Sequence, residues 1–276
     1  MILVEKNKLS GLGHFKRMQV LYRNLRNNFF VKLTLYSKKI NLENYKNFDL
    51  AIIDINFNPI KIINFFKKLK KKTITFDNFY NSAADLNLST FEHNKRLKIK
   101  RYSDINLILF DKKIIKKNKF SKKYVFVSFG SKDRLDRLRP LKLWLEKNKI
   151  NYKIFIGKYE NKKNIKKNSI TNYSKYFQYL SNAHWCILNA GQTLLEAMVL
   201  KKPAYVLPQT GKELNFSNFL LEKKLILGNS FEKLQKPDEK MLSNLINLLN
   251  KTLNKNGINI VKKKINNIIN EKNTNI

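Results

Sequence analysis

The chain has 276 residues, 43% hydrophobic and 12% aromatic, enough apolar material for two cores or one large one, which excludes a disordered chain. Its formal charge of +36 is what a nucleic-acid binder would carry, but the lysines are scattered in short runs at 70–72, 112–113, 162–163 and 262–264. Lys, Asn and Ile recur in loops and cores alike and share A/T-rich codons, so base composition accounts for much of the excess and no specific nucleic-acid partner is expected.

Ile2, Leu3 and Val4 read as a short buried strand. Gly11 and Gly13 follow, giving a backbone that turns sharply and lets another molecule approach closely. Met18, Leu21, Tyr22 and Leu25 then fall on one face of an amphipathic helix. His14 sits at its start, where free N–H groups and the helix dipole favour an anionic neighbour. Residues 29–36 alternate as a second strand, and 49–55 form a short apolar run bracketed by aspartates, as in a buried parallel strand. A helix over 60–69 follows, then strands at 73–76, 84–88 and 105–110.

Composition turns basic and polar over 111–123, which reads as the crossing between two domains, and the pattern restarts. Strands are expected at 124–129, 152–156, 185–188 and 204–207, with a polar loop at 161–168. Helices are expected at 141–147, 176–180, 192–200, 216–222 and 240–253. Strands alternating with helices imply α/β architecture: two doubly wound parallel-sheet, Rossmann-like domains, at 1–118 and 119–260, with a helical or frayed tail at 261–276.

One cysteine, Cys186, excludes a disulfide within the chain and lies in an apolar run, as a buried inert thiol does. His14, His93 and His184 have no paired metal-ligand spacing, so no metal is expected. No run of about twenty apolar residues is present and no signal-peptide pattern opens the chain, so a cytoplasmic location is expected. Phe65-Phe66 before the basic run at 67–72 offers weak docking on an anionic membrane surface. The pattern leaves the oligomeric state open.

Four patches carry a resemblance. Gly11-Leu-Gly-His-Phe-Lys-Arg17 looks like the G-x-G-H-x-x-R opening of the UDP-sugar hydrolases of pseudaminic acid synthesis, which are related to spore-coat polysaccharide biosynthesis proteins. Val127-Ser-Phe-Gly-Ser-Lys-Asp133 resembles their S-F-G-G-x-D turn, and Leu188-Asn-Ala-Gly-Gln-Thr-Leu-Leu-Glu196 their stretch ending in G-x-T-x-x-E. Pro203 and Asn215 fall where that family has a post-helix proline and an asparagine. The second-domain pattern is shared with the lipid-linked N-acetylglucosamine transferases of peptidoglycan synthesis.

The resemblance implies a GT-B-like fold, two domains facing across a cleft, and a UDP-sugar substrate cleaved to free sugar plus UDP with no cofactor or metal. His14 would be the general base on water, a task that suits an imidazole near neutral pH. Gly130, Ser131, Gly191, Gln192, Thr193 and Glu196 would hold the nucleotide, with Glu196 on the ribose hydroxyls. Gly11, Gly13, Arg17, Asp54, Asp77, Tyr80 and Asn215 would contact substrate. The sequence departs from the pattern at Ser131, at Asp54-Ile-Asn56 in place of Asp-x-Tyr, and at Asn215-Phe216 in place of Asn-Gln.

Each residue also has a structural reading. Thr193-x-x-Glu196 fits a capping box as well as ribose binding. His14 lies four residues before Met18 and fits a packed core histidine. Asp54, Asp77 and Asp133 fit helix or turn caps. For the whole chain a glycosyltransferase with a UDP-sugar donor is the alternative to the hydrolase, and a basic nucleic-acid-binding protein is the alternative from another class.

Overall fold

The computed structural model describes residues 1–5, 12–37, 39–78, 80, 83–91, 100–111, 124–160, 168–172, 175–254 and 256–271. The chain divides into two units, Met1–Phe110 with Lys255–Ile276, and Asp111–Asn254. The basic crossing and the polar loop read from the sequence lie, apart from Asp111 and Asn168, outside the described residues.

In chain order the first unit contains β1 (Ile2–Val4), α1 (Gly13–Leu25), β2 (Leu33–Leu35), a 3-10 turn (Leu42–Tyr45), β3 (Leu50–Asp54), α2 (Ile60–Lys68), β4 (Lys72–Phe76), β5 (Leu86–Ser89) and β6 (Arg101–Ser103). The second contains β7 (Val125–Ser128), α3 (Leu138–Lys147), β8 (Tyr152–Phe155), β9 (Ser169–Ile170), α4 (Tyr176–Asn182), β10 (Trp185–Leu188), α5 (Gln192–Val199), β11 (Ala204–Val206), α6 (Gly211–Glu222) and α7 (Glu239–Thr252). A last helix, α8 (Gly257–Asn270), returns to the first unit.

Both sheets are wholly parallel, in the orders β2-β1-β3-β4-β5-β6 and β11-β10-β7-β8-β9. Parallel strands are covered on both faces, and the first sheet shows why its strands are apolar throughout. Ile2, Val4, Ile52 and Ile74 point to one face, onto Met18 and Leu21 of α1 and Ile258, Val261 and Ile265 of α8. Leu3, Ala51 and Ile53 point to the other, onto Ile62, Ile63 and Phe66 of α2. In the second unit Val125, Val127 and Ile187 pack on Leu141 and Leu145 of α3 and Leu242 of α7. Phe126 and Phe155 meet the ring of Tyr176 on the opposite face.

Several expectations change. Residues 105–110 are not a strand: Asp104 accepts the Asn106 N–H through its side chain and the Leu107 N–H through its carbonyl, turning the chain just after β6. Leu107, Ile108, Leu109 and Phe110 are buried all the same, because α8 starts against them. A Cβ on Gly257 would lie 2.4 Å from the Ile108 carbonyl oxygen. The reading that ended the second domain at 260 gives way to a helix whose apolar stripe, Ile258, Val261, Ile265 and Ile268, completes the first core. Of the Phe65-Phe66 pair, Phe66 is fully buried and Phe65 is half-buried, edge-on against it. Cys186 is buried, and burial pushes its thiol up to about 12. Among the described residues no helix is long and apolar enough to cross a membrane.

Ile265 lies 2% exposed in the first core. Ile265→Ala is expected to cost about 2–5 kcal/mol in urea unfolding, and a variant with the native midpoint would contradict the packing of α8 there.

Candidate functional site

In open α/β sheets, ligands bind at the carboxyl ends of the strands where strand order reverses, because the connections there part. In the first sheet that point lies between β1 and β3, with Val4 opposite Asp54. Asp54 closes β3 there, fully buried. His14 and Arg17 stand three residues apart near the start of α1 and so share a face.

The three side chains form one hydrogen-bonded group. His14 Nδ1 lies 2.6 Å from Asp54 Oδ1. Arg17 grips the same carboxylate with two donors, Nε to Oδ2 at 2.6 Å and Nη2 to Oδ1 at 2.5 Å. Its Nη1 donates to Asp77 Oδ2, and its guanidinium stands 5.9 Å over the Phe76 ring. Asp77, in the left-handed region at φ 43°, also accepts the Thr90 N–H at 3.1 Å.

Burial opposes the charge on Asp54, but the charges of Arg17 and His14 and hydrogen bonds from both outweigh it and hold the carboxyl well below the usual range. Burial opposes the Arg17 charge likewise, and Asp54 and Asp77 more than compensate. An ionised Asp54 only accepts, so the shared proton resides on His14 Nδ1, and in the neutral ring the lone pair is on Nε2. The ring keeps 17% of its side-chain surface exposed, so it is not sealed in the core. A half-buried imidazole with one nitrogen pinned and, among the described residues, no hydrogen-bond partner on the other is suited to general-base chemistry.

Arg17 and Asp54, both expected to touch substrate, are bonded to each other in the structure. Asp77 spends its oxygens on Arg17 and the turn after β5. Gly13 opens α1, Tyr80 is exposed after β4, and Asn215 is exposed on α6. Gly11 lies outside the described residues.

The second sheet reverses order between β7 and β10, with Ser128 opposite Leu188. Gly130 and Ser131 follow β7, and Gly191, Gln192 and Thr193 follow β10, so both predicted nucleotide turns lie at one carboxyl-end crevice. Gly130 adopts φ +71°, a conformation that favours glycine. No side-chain hydrogen bond caps α5, whose N-cap is Gly191, so Thr193-x-x-Glu196 is not a capping box. Thr193 hydrogen-bonds the Tyr176 hydroxyl, which donates to Glu196 Oε2 at 2.8 Å. Glu196 is 6% exposed, with Gln192 Nε2 3.5 Å from its Oε1.

The cap of this kind is at α6. Thr210 is its N-cap and accepts the Glu213 N–H, while Glu213 reaches back to the Gln209 N–H at 2.9 Å. Thr210-x-x-Glu213 fits the same template as Thr193-x-x-Glu196, so the signal was in the sequence. Asp133 takes the structural role, accepting the Leu135 and Leu138 N–H groups at the start of α3. Gln209, absent from the sequence reading, bridges the turns by accepting from the Arg134 N–H at 2.5 Å and donating to the Phe129 carbonyl at 3.1 Å.

The sequence matches no protein-family model and no curated protein. Among solved structures, MurG of Acinetobacter baumannii is similar with a TM-score of 0.65 at 12% identity, over 96% of this chain and 99% of that one. S. aureus MnaA, in a co-structure with UDP, has a TM-score of 0.63 at 9% identity, over 99% and 96%. The glycosyltransferase SnogD from Streptomyces nogalater has a TM-score of 0.60 at 10% identity, over 94% of each chain. The fold is GT-B-like. Both parallel-sheet units of the GT-B pattern are present, and likeness at such identity speaks to fold.

Because the folded value of Asp54 is depressed, its stabilising charge is fully present above the ordinary carboxylate pKa of ~3.9 and is lost as pH falls towards the folded value. Asp54→Asn is expected to lower stability by about 3–5 kcal/mol near neutral pH, by stripping Arg17 of a charged partner. In urea titrations the deficit should hold down to about pH 5 and narrow below about pH 4; a deficit that is unchanged near pH 3 would contradict this.

Proposed function

We propose that the chain is a glycosyltransferase that takes its sugar from a UDP-sugar, with His14 as general base. The observation that carries the reading is the His14 ring, pinned through Nδ1 to a carboxylate that Arg17 keeps ionised. Nε2 takes the proton of an acceptor hydroxyl as its oxygen attacks the anomeric carbon. The bond from that carbon to the diphosphate oxygen breaks, and UDP leaves with the electron pair.

In the second unit, the start of α5, whose N-cap Gly191 carries no side chain, turns its backbone N–H groups and the positive end of a helix dipole to the diphosphate. The Gly130-Ser131 turn lies at the same crevice. Glu196, held by Tyr176, is the acceptor assigned to the ribose hydroxyls. Glycosyltransferases of similar fold, and a similar structure holding UDP, support this reading. A UDP-sugar hydrolase is the second reading, favoured by the resemblance of Gly11-Leu-Gly-His-Phe-Lys-Arg17 to the opening of that family, with water in place of the acceptor.

The two readings part on acceptor dependence. Incubation of the chain with UDP-glucose or UDP-N-acetylglucosamine should release UDP only when a glycan or lipid-linked acceptor is added. Release at the same rate without acceptor would favour the hydrolase, and absence of both release and UDP binding would remove the UDP-sugar reading. His14→Ala is expected to lower kcat about 10²–10⁴-fold with UDP affinity unchanged, and native turnover in that variant would exclude His14 as the base.

A further inference from the structure

The carboxamide of Asn189, directly after β10, has a role that the nucleotide reading leaves unassigned. It is 7% exposed, and its Nδ2 donates to Glu213 Oε1 at 2.9 Å. A carboxylate accepts only, so this bond fixes which end of the carboxamide is nitrogen. Glu213 is itself held by the Gln209 N–H and by its place in the α6 cap, so the orientation is rigid. The other end, Oδ1, is buried and has no hydrogen-bond partner among the described residues. A buried acceptor without a donor costs about 1–3 kcal/mol, so such a group calls for an explanation.

The oxygen lies beside two residues that have no side chain. A Cβ on Gly130 would stand 3.6 Å from Oδ1, and one on Gly191 3.7 Å from Oδ1 and 3.1 Å from Nδ2. Gly191, at φ −111°, needs no glycine for its backbone, so its missing side chain serves to leave room at the carboxamide. An acceptor with no partner among the described residues thus stands next to the start of α5, at the carboxyl-end crevice of the sheet.

We propose that Asn189 is a specificity residue for the sugar, its Oδ1 accepting a hydrogen bond from a hydroxyl or acetamido N–H of the bound nucleotide-sugar. The inference rests on the UDP-sugar reading. A diphosphate calls for donors and would be repelled by this lone pair, whereas hydroxyls and N–H groups need it. Glu196, beyond Thr193 in α5, is the acceptor assigned to the ribose. Asn189 lies before the helix start and is tied to Glu213 of α6 and, through it, to the segment after β11. With the ribose assigned to Glu196 within α5 and the diphosphate to its start, Asn189, which precedes that start in the chain, is the acceptor left for the sugar.

Isothermal titration of the full chain with UDP, UDP-glucose and UDP-N-acetylglucosamine tests this, using the native protein, Asn189→Leu and Asn189→Ala. Both variants should bind UDP as the native chain does and bind at least one UDP-sugar about three- to tenfold more weakly. Loss with both sugars marks a hydroxyl donor, and loss confined to the N-acetylated sugar marks the amide N–H. Unchanged UDP-sugar affinity in the variants overturns the proposal. An equal loss for UDP and the UDP-sugars overturns it as well, since Asn189 then shapes the nucleotide site or the fold. A native chain that binds no UDP removes the nucleotide reading, and this inference with it, and is told apart from the other failures by the native titration alone.

Discussion

The first unit depends on a buried guanidinium shared by two carboxylates. Arg17 spans from Asp54 at the end of β3 to Asp77 just past β4, and so ties α1 to two strands of the sheet. Taking such charges out of water is costly, and only the bidentate geometry and full pairing offset it. Its value lies in what it fixes. With Arg17 in place Asp54 stays ionised at any pH near neutrality, and an ionised Asp54 determines which nitrogen of His14 bears the proton. A packed apolar substitute for Arg17 and Asp54 could hold α1 on the sheet, but it would not orient the imidazole.

The second unit uses neutral and singly charged groups for a comparable purpose. Glu213 links the α6 cap to Asn189, Gln209 links the turns after β7 and β11, and Tyr176 fixes Glu196 of α5. Burial, with the Glu196 charge adding to it, drives the Tyr176 hydroxyl well above its ordinary value, so it remains a donor. Each carboxylate near the crevice is therefore engaged on at least one side by the protein. What lacks a protein partner there, among the described residues, is one buried amide oxygen, Asn189 Oδ1.

The architecture was legible because parallel strands buried on both faces read as short apolar runs between helical stripes, as in Leu50-Ala-Ile-Ile-Asp54. Two things escaped that reasoning. Periodicity reveals that 258–268 has an apolar stripe but not which core receives it, and an apolar run such as 107–110 looks the same whether it pairs as a strand or only fills space beneath a helix. At the sites, His14 stood out through its glycine turn, whereas its dependence on Asp54, forty residues away, arises from the pairing of β1 with β3. The aspartates were read as substrate contacts because strand ends gather such contacts; their pairing with Arg17, on the same helix face as His14, was not legible in the sequence.

The central claim is that Asp54 fixes His14 as the Nδ1–H tautomer with its lone pair on Nε2. Long-range 15N–1H correlation spectra of the imidazole, recorded on the full chain at a pH where the ring is neutral, report this directly. The account predicts a protonated Nδ1 and a bare Nε2 for His14. A ring with its proton on Nε2, or a rapidly exchanging mixture of the two tautomers, would contradict it.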